Sequence, residues 1–214
     1  MKHFVITITE NEKSVAVAER CIKSGAKYGL DIKKFDAITP EKDLDNLMMF
    51  NGIQQNGFVE KYSRQRNCMA AFMSHFSLWK TSVELKEEIT IFEHDAVVVN
   101  EIPSFLLYAG CISFGKPSYG KWRDPARVGI NPLTSKPYFP GAHAYRVSPY
   151  GAKQLIEQAK KHARPTDVFL NIQSFPWLEE YYPWPVEARD TFTTIQKEEG
   201  CLAKHNYGSN YEII

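Results

Sequence analysis

From Phe4 to Thr9 apolar residues interleave with threonine, a pattern that predicts a first strand. Val15, Ala18, Ile22 and Ala26 then recur at helical spacing, and Gly29 stops that helix just after Tyr28. Ile32 to Ile38 supplies a second strand. Strand, helix and strand within about forty residues predict a βαβ unit and a parallel sheet.

Glu41 to Phe50 reads as a short helix. Asn51 to Arg66 reads as a polar, Gly-containing loop with a basic end at Lys61, Arg64 and Arg66. Asn67 to Leu85 is a long helix whose small and apolar positions, among them Ala70, Met73, Leu78 and Trp79, are available for packing. Ile89 to Phe92 is a β-type apolar run that stops at Glu93-His94-Asp95, and a second apolar run, Ala96 to Val99, follows it.

The second half is less periodic. Gly110 to Phe114 predicts a strand. Gly115 to Gly141 is weakly patterned and rich in Pro, Gly, aromatic and basic residues, and a loop of that length in a compact domain usually carries function. Ala142 to Val147 is a further strand, and Ser148-Pro149 opens a helix that runs to about His162. Arg164-Pro165-Thr166-Asp167 opens another helix, with Thr166 or Asp167 as its cap. Tyr181 to Val186 carries two prolines and predicts an edge strand. The tail from Gly200 is polar and aromatic. No repeat or linker interrupts the pattern, so residues 1–214 read as one α/β domain with a mixed, mostly parallel central sheet.

Composition narrows the class only slightly. A formal net charge of +1 gives no global argument for nucleic acid or membrane as partner. Cys21, Cys68, Cys111 and Cys201 are widely spaced without a CxxC pair, which argues for buried thiols over a zinc knuckle or disulfide scaffold. The N-terminus is too short and polar for a signal peptide, and no stretch approaches a membrane span. The expected setting is cytoplasmic, or the host cytoplasm if the chain is of phage origin.

Candidate chemistry centres on the acidic strand end. Ligands bind at the carboxyl ends of strands in open α/β sheets. Two carboxylates flanking a His there would suit a hard divalent cation and the phosphates it bridges, or would simply face water. Asp167 is either a catalytic base or a helix cap. Ser118-Tyr119-Gly120-Lys121-Trp122-Arg123 interleaves aromatics and cations, a composition suited to stacking on sugars or bases and to contacting phosphates.

The order of these segments carries a resemblance. Phe4-Val5-Ile6-Thr7-Ile8 precedes a helix and Phe35-Asp36-Ala37. Then come Phe72-Met73-Ser74-His75-Phe76-Ser77-Leu78-Trp79 and Ile91-Phe92-Glu93-His94-Asp95-Ala96. Gly141-Ala142-His143-Ala144-Tyr145-Arg146-Val147-Ser148, Pro165-Thr166-Asp167-Val168-Phe169-Leu170 and Thr193-Thr194-Ile195 complete the series. The whole resembles glycosyltransferase family 25, the lipopolysaccharide and collagen galactosyltransferase group.

That resemblance implies a GT-A fold with Rossmann-type nucleotide binding, a Mn²⁺ or Mg²⁺ cofactor and a nucleotide-sugar donor, expected to be a UDP-sugar. It implies Asp95 and Glu93 as metal ligands, and His94 stands where the family has an Asp. Asp167 matches the family's Asp ahead of Phe-Leu, as base. Ser74 and His75 would brace or line the donor site. The family's arginines after the first strand are missing from Glu10-Asn11-Glu12-Lys13, so Lys13, Arg64 and Arg66 are candidates for the diphosphate. Ala70-Ala71 stands in place of the family's Gly-Cys. Tyr119, Trp122, Arg123 and His143 are acceptor candidates, for a glycan or, as in phage enzymes, a hydroxylated base in DNA. The alternatives are a catalytically inactive nucleotide-sugar or glycan-binding module of the same fold, and a nucleotidyltransferase.

Overall fold

A computed structural model describes residues 1–59, 63–189 and 194–195. Lys61, Thr193, Cys201 and the tail from Gly200 lie outside the described residues. The chain begins with β1 (Lys2–Thr7), α1 (Glu12–Ala26) and β2 (Ile32–Asp36). The two strands pair in parallel, as the βαβ pattern predicts. Helix α1 starts earlier than its apolar period suggests, because Asn11 caps it by accepting from the Ser14 amide at 3.0 Å.

Next come α2 (Leu44–Phe50), α3 (Gln65–Leu85), β3 (Ile89–Glu93) and β4 (Ala96–Val98). The long segment after β5 (Cys111–Ser113) contains β6 (Gly129–Pro132) before β7 (Ala144–Val147). The chain continues through α4 (Pro149–His162), α5 (Thr166–Phe169), β8 (Glu179–Tyr182) and β9 (Val186–Ala188).

Seven strands form the central sheet in the order β2-β1-β3-β7-β5-β8-β6. The pairings put five of them in one direction and reverse only β7 and β6, so the sheet is mixed and mostly parallel. The segment expected to form one edge strand is split: β8 lies inside the sheet between β5 and β6, while β9 pairs with β4 in a separate two-stranded ribbon. Pro183 and Pro185 fall between the two strands, where no ladder amide is needed.

Each face of the sheet has its own apolar layer. One is built from α2, α3 and α4 with Phe72, Met73, Phe76, Trp79, Tyr145 and Leu155. The other lies under α1 and the β4–β9 ribbon, with Val5, Ala18, Phe92 and Phe114. Helix α3 is buried from Cys68 through Trp79 on more than one side, which suits a helix set between the sheet and two neighbours. Cys21, Cys68 and Cys111 are buried free thiols, matching the expectation from their spacing. Among the described residues no helix is long and apolar enough to cross a membrane.

Two local devices set the start of α4. The Ser148 hydroxyl accepts from the Gly151 amide at 3.1 Å, and Pro149 occupies the first turn. A side chain at Gly151 would meet the Gly110 carbonyl at 2.2 Å, so glycine permits the close approach of α4 to the residue before β5. Replacing Ser148 with Ala removes the cap and is expected to cost about 1 kcal/mol, measurable by urea unfolding.

Candidate active site

The carboxyl ends of β1, β2 and β3 lie side by side, because the three strands are parallel neighbours. Glu93 is the last residue of β3, and its amide donates to the His143 carbonyl at 2.9 Å. Helix α3 runs back beneath this end and carries His75 and Trp79 four residues apart, hence on one helical face.

Both side chains meet the Tyr145 hydroxyl of β7. Trp79 Nε1 donates to Tyr145 Oη at 2.8 Å, and His75 Nδ1 lies 2.9 Å from the same oxygen. An indole N–H only donates, so the phenol proton is left to point at His75 Nδ1. His75 therefore carries its proton on Nε2, which lies 3.2 Å from Glu93 Oε1. The result is a directed chain from Trp79 through Tyr145 and His75 to Glu93. Burial keeps His75 neutral by lowering its pKa to about 3.

Glu93 is the partly exposed end of this chain, its side chain 26% accessible. Burial, helped by the charge of Asp167, raises its pKa to about 8. Asp167 is also raised by burial, against the opposing hydrogen bonds of Tyr119 and the Val168 amide. Tyr119 Oη donates to Asp167 Oδ2 at 2.5 Å, while the Val168 amide donates to Oδ1 at 2.9 Å. Asp167 sits inside α5 rather than capping it; Pro165 holds the N-cap position. Glu93, His75, Asp167 and Tyr119 thus form one electrostatic group.

The neighbouring residues of the acidic triplet turn elsewhere. Ser14 Oγ accepts from the Ile8 amide at 2.9 Å and lies 2.8 Å from His94 Nδ1. Asp95 lies on the α1 side, where its charge helps raise the Cys21 thiol, and its carbonyl accepts from the Arg189 amide at 3.1 Å.

This arrangement bears directly on the expected Mn²⁺ or Mg²⁺. Hard cations need several converging oxygen ligands. Among the described residues no group of three or more His, Cys, Asp or Glu side chains could hold a metal ion. Glu93 is committed to His75, and Asp95 belongs to the α1 side. The described side chains do not by themselves complete a cation's ligand set.

The other candidates fall into three groups. Ser74 is fully buried; it accepts from the Ile38 amide at 2.9 Å and donates to the Ala70 carbonyl at 3.1 Å, bracing the chain after β2. Lys13 is exposed in the first turn of α1. Arg66 forms a bidentate pair with Asp45 at 3.1 and 3.0 Å, and Arg64 donates to the Thr194 carbonyl at 3.3 Å. Trp122 is half-buried and Arg123 exposed on the long segment after β5. His143 is buried, with Gly115 against its ring. Tyr145 and Ser14 take part in the site's hydrogen bonding although nothing local in the sequence singles them out. The sole signal for Tyr145 is its place in the Gly141–Ser148 segment.

A model of glycosyltransferase family 25 (LPS biosynthesis protein) matches residues 1–111, which contain β1 through β4 and the Glu93-His94-Asp95 corner. Among solved structures, a similar chain is a mutant of Drosophila beta-1,4-galactosyltransferase 7 in complex with manganese, UDP-Gal and xylobiose. It is 7% identical with a TM-score of 0.36, over 72% of this chain and 52% of that one. This chain therefore spans about half the length of that galactosyltransferase. No curated protein matches the sequence.

The raised Glu93 carboxyl has a thermodynamic signature. The folded state holds the Glu93 proton up to about pH 8, whereas the ordinary carboxyl releases it near 4.5. The folded state is thus favoured below 4.5, and that advantage is lost as pH rises from 4.5 to 8. Urea unfolding of Glu93→Gln across this window is expected to show a shallower loss of stability than the parent. Removing the Tyr145 hydroxyl in Tyr145→Phe leaves the Trp79 N–H and His75 Nδ1 without that partner. It is expected to cost roughly 1–3 kcal/mol by the same measurement.

Proposed function

Because the chain belongs to glycosyltransferase family 25, we propose that it transfers a sugar from a UDP-sugar to a hydroxyl of a glycan, with Asp167 as the general base. The observation that carries this reading is the Asp167 carboxylate itself. It is enclosed, raised above the ordinary carboxylate range, hydrogen-bonded to a hydroxyl, and electrostatically coupled to the end of β3. A carboxylate of raised basicity suits the removal of a hydroxyl proton while that oxygen attacks.

The roles are assigned by chemistry. The nucleotide is assigned to the crevice at the carboxyl ends of β1, β2 and β3, the usual ligand position in such sheets. His94, beside the start of α1, is proposed to contact a phosphate oxygen. Lys13 on that helix, and Arg64 and Arg66 at the start of α3, are the cations proposed for the diphosphate. Glu93, held by His75, is the carboxyl on which the Asp167 charge acts. In the transfer step the acceptor oxygen attacks the anomeric carbon, Asp167 takes its proton, and the bond to the diphosphate breaks with its electron pair. Trp122 and Arg123 are proposed for the acceptor side, with Tyr119 at the base.

The fold supports this assignment by bringing Asp167 and Glu93 together from distant parts of the chain. The Mn²⁺ or Mg²⁺ that the family resemblance implies is a separate question from the base. It is answered by titrating Mn²⁺ into the protein with and without UDP.

Asp167→Asn is expected to lower transfer by roughly 10²–10⁴-fold, measured as UDP released in the presence of glycan acceptors. UDP binding by calorimetry should stay unchanged in the same variant. Full transfer by Asp167→Asn would remove the base assignment. Nucleotide binding by the parent without turnover on any acceptor would favour a binding module, and release of sugar 1-phosphate with UMP attached to the acceptor would favour nucleotidyl transfer. Mass spectrometry of glycans and of DNA from producing cells, with Asp167→Asn as control, separates a glycan from a hydroxylated base.

A further inference from the structure

Tyr119 stands out because its phenol does to Asp167 what an acceptor hydroxyl must do. Tyr119 Oη is an O–H donor to Asp167 Oδ2 at 2.5 Å. The other oxygen, Oδ1, already accepts from the Val168 amide at 2.9 Å. Each carboxylate oxygen has two lone pairs, and an incoming hydroxyl that gives its proton to the Oδ2 lone pair facing Tyr119 takes the place of the phenol. Burial, together with the neighbouring Asp167, pushes the Tyr119 hydroxyl far up, so it stays an O–H donor.

The phenol is seated by its own segment of chain. Lys136 Nζ donates to the Tyr119 carbonyl at 2.6 Å and stands 4.9 Å from the centre of its ring. The same ammonium lies 5.3 Å from the Tyr138 ring, and the two tyrosine rings are 6.1 Å apart. Ser118 Oγ donates to the Pro140 carbonyl at 3.2 Å. Tyr119, Lys136, Tyr138 and Pro140 all belong to the long stretch between β5 and β7. Its one described side-chain bond from Tyr119 to another part of the fold is the bond to Asp167. The stretch itself is fastened to the chain after α5, where the Phe139 amide donates to the Leu170 carbonyl at 3.0 Å and the Ile172 amide donates to the Pro137 carbonyl at 2.9 Å, so exchange at the carboxylate falls to the Tyr119 side chain.

We infer that Tyr119 is a positioning residue that occupies the acceptor-hydroxyl place on Asp167 and keeps water from being activated there until an acceptor displaces it. The inference rests on the reading of Asp167 as base. Without the phenol, a water molecule would fill the vacated place. Its oxygen would attack the anomeric carbon of the donor, its proton would go to Asp167, and the sugar–phosphate bond would break with its electrons leaving on UDP. The products are free sugar and UDP, so the guard would limit wasteful hydrolysis of the donor. The carboxylate is also held in place in the meantime, which avoids an unpaired buried oxygen.

The test is UDP release from UDP-glucose, UDP-galactose and UDP-N-acetylglucosamine without acceptor. Tyr119→Phe keeps the ring and its stacking and removes only the hydroxyl. It is expected to raise hydrolysis of the accepted donor by about tenfold or more, with UDP affinity by calorimetry unchanged. Lys136→Met, which loosens the seat but leaves the phenol, is expected to give a smaller rise in the same direction. The double variant Tyr119→Phe/Asp167→Asn should lose the gain, since the water then has no base. Hydrolysis that stays flat or falls in Tyr119→Phe, with Asp167→Asn inactive in transfer, overturns the guard and leaves the base in place. Hydrolysis that rises in Tyr119→Phe and persists in the double variant also overturns it. Full transfer by Asp167→Asn removes the base and the guard with it.

Discussion

The site depends on one buried run of hydrogen bonds: Trp79 to Tyr145, Tyr145 to His75, His75 to Glu93. Each group has its donor and acceptor roles set by the one before it, beginning with an indole that can only donate. The run crosses from α3 through β7 to the end of β3, so three elements are locked in one register at the point where chemistry is proposed. A buried polar chain of this kind is worth having only when every member is satisfied. Here the energetic demand and the functional geometry coincide, because the last acceptor is the half-open Glu93.

Much of the first half of this arrangement is legible from sequence. β1, α1, β2, α3 and β3 follow from strong periodicity, and the stop at Glu93 marks the strand end. His75 and Trp79 are four apart on one helix, and their shared face is evident from spacing alone. Their common partner is not, since Tyr145 lies 66 residues from Trp79 and on a strand whose neighbours are set by the whole topology. The pairing of Tyr119 with Asp167 spans 48 residues and the three elements β6, β7 and α4, and no periodicity reports it. β6 is hidden for another reason: Gly129 and Pro132 are poor strand formers, tolerated because this strand pairs on one side only.

His94 shows how one substitution redirects a corner. The family resemblance expects a carboxylate there; the imidazole instead reaches Ser14, whose oxygen already serves the Ile8 amide. A residue type associated with cation binding is replaced by one that hydrogen-bonds the β1–α1 junction. The capping residue Asn11 fixes Ser14 in turn, so the start of the first helix and the end of the third strand share a single hydroxyl.

The long segment between β5 and β7 begins and ends at one buried side chain. A side chain at Gly115 would come within 2.6 Å of His143 Nε2, and one at Gly141 within 3.1 Å of His143 Nδ1. Both ends of the segment thus abut opposite sides of one buried imidazole, whose backbone carbonyl holds the Glu93 amide. The two ends enter and leave the fold at nearly one point. The segment is therefore a cassette with a fixed socket. Between those ends β6 is stitched to β8, so the segment is pinned at its middle as well as at its mouth, and a change of length is accommodated on either side of β6 without moving the end of β3.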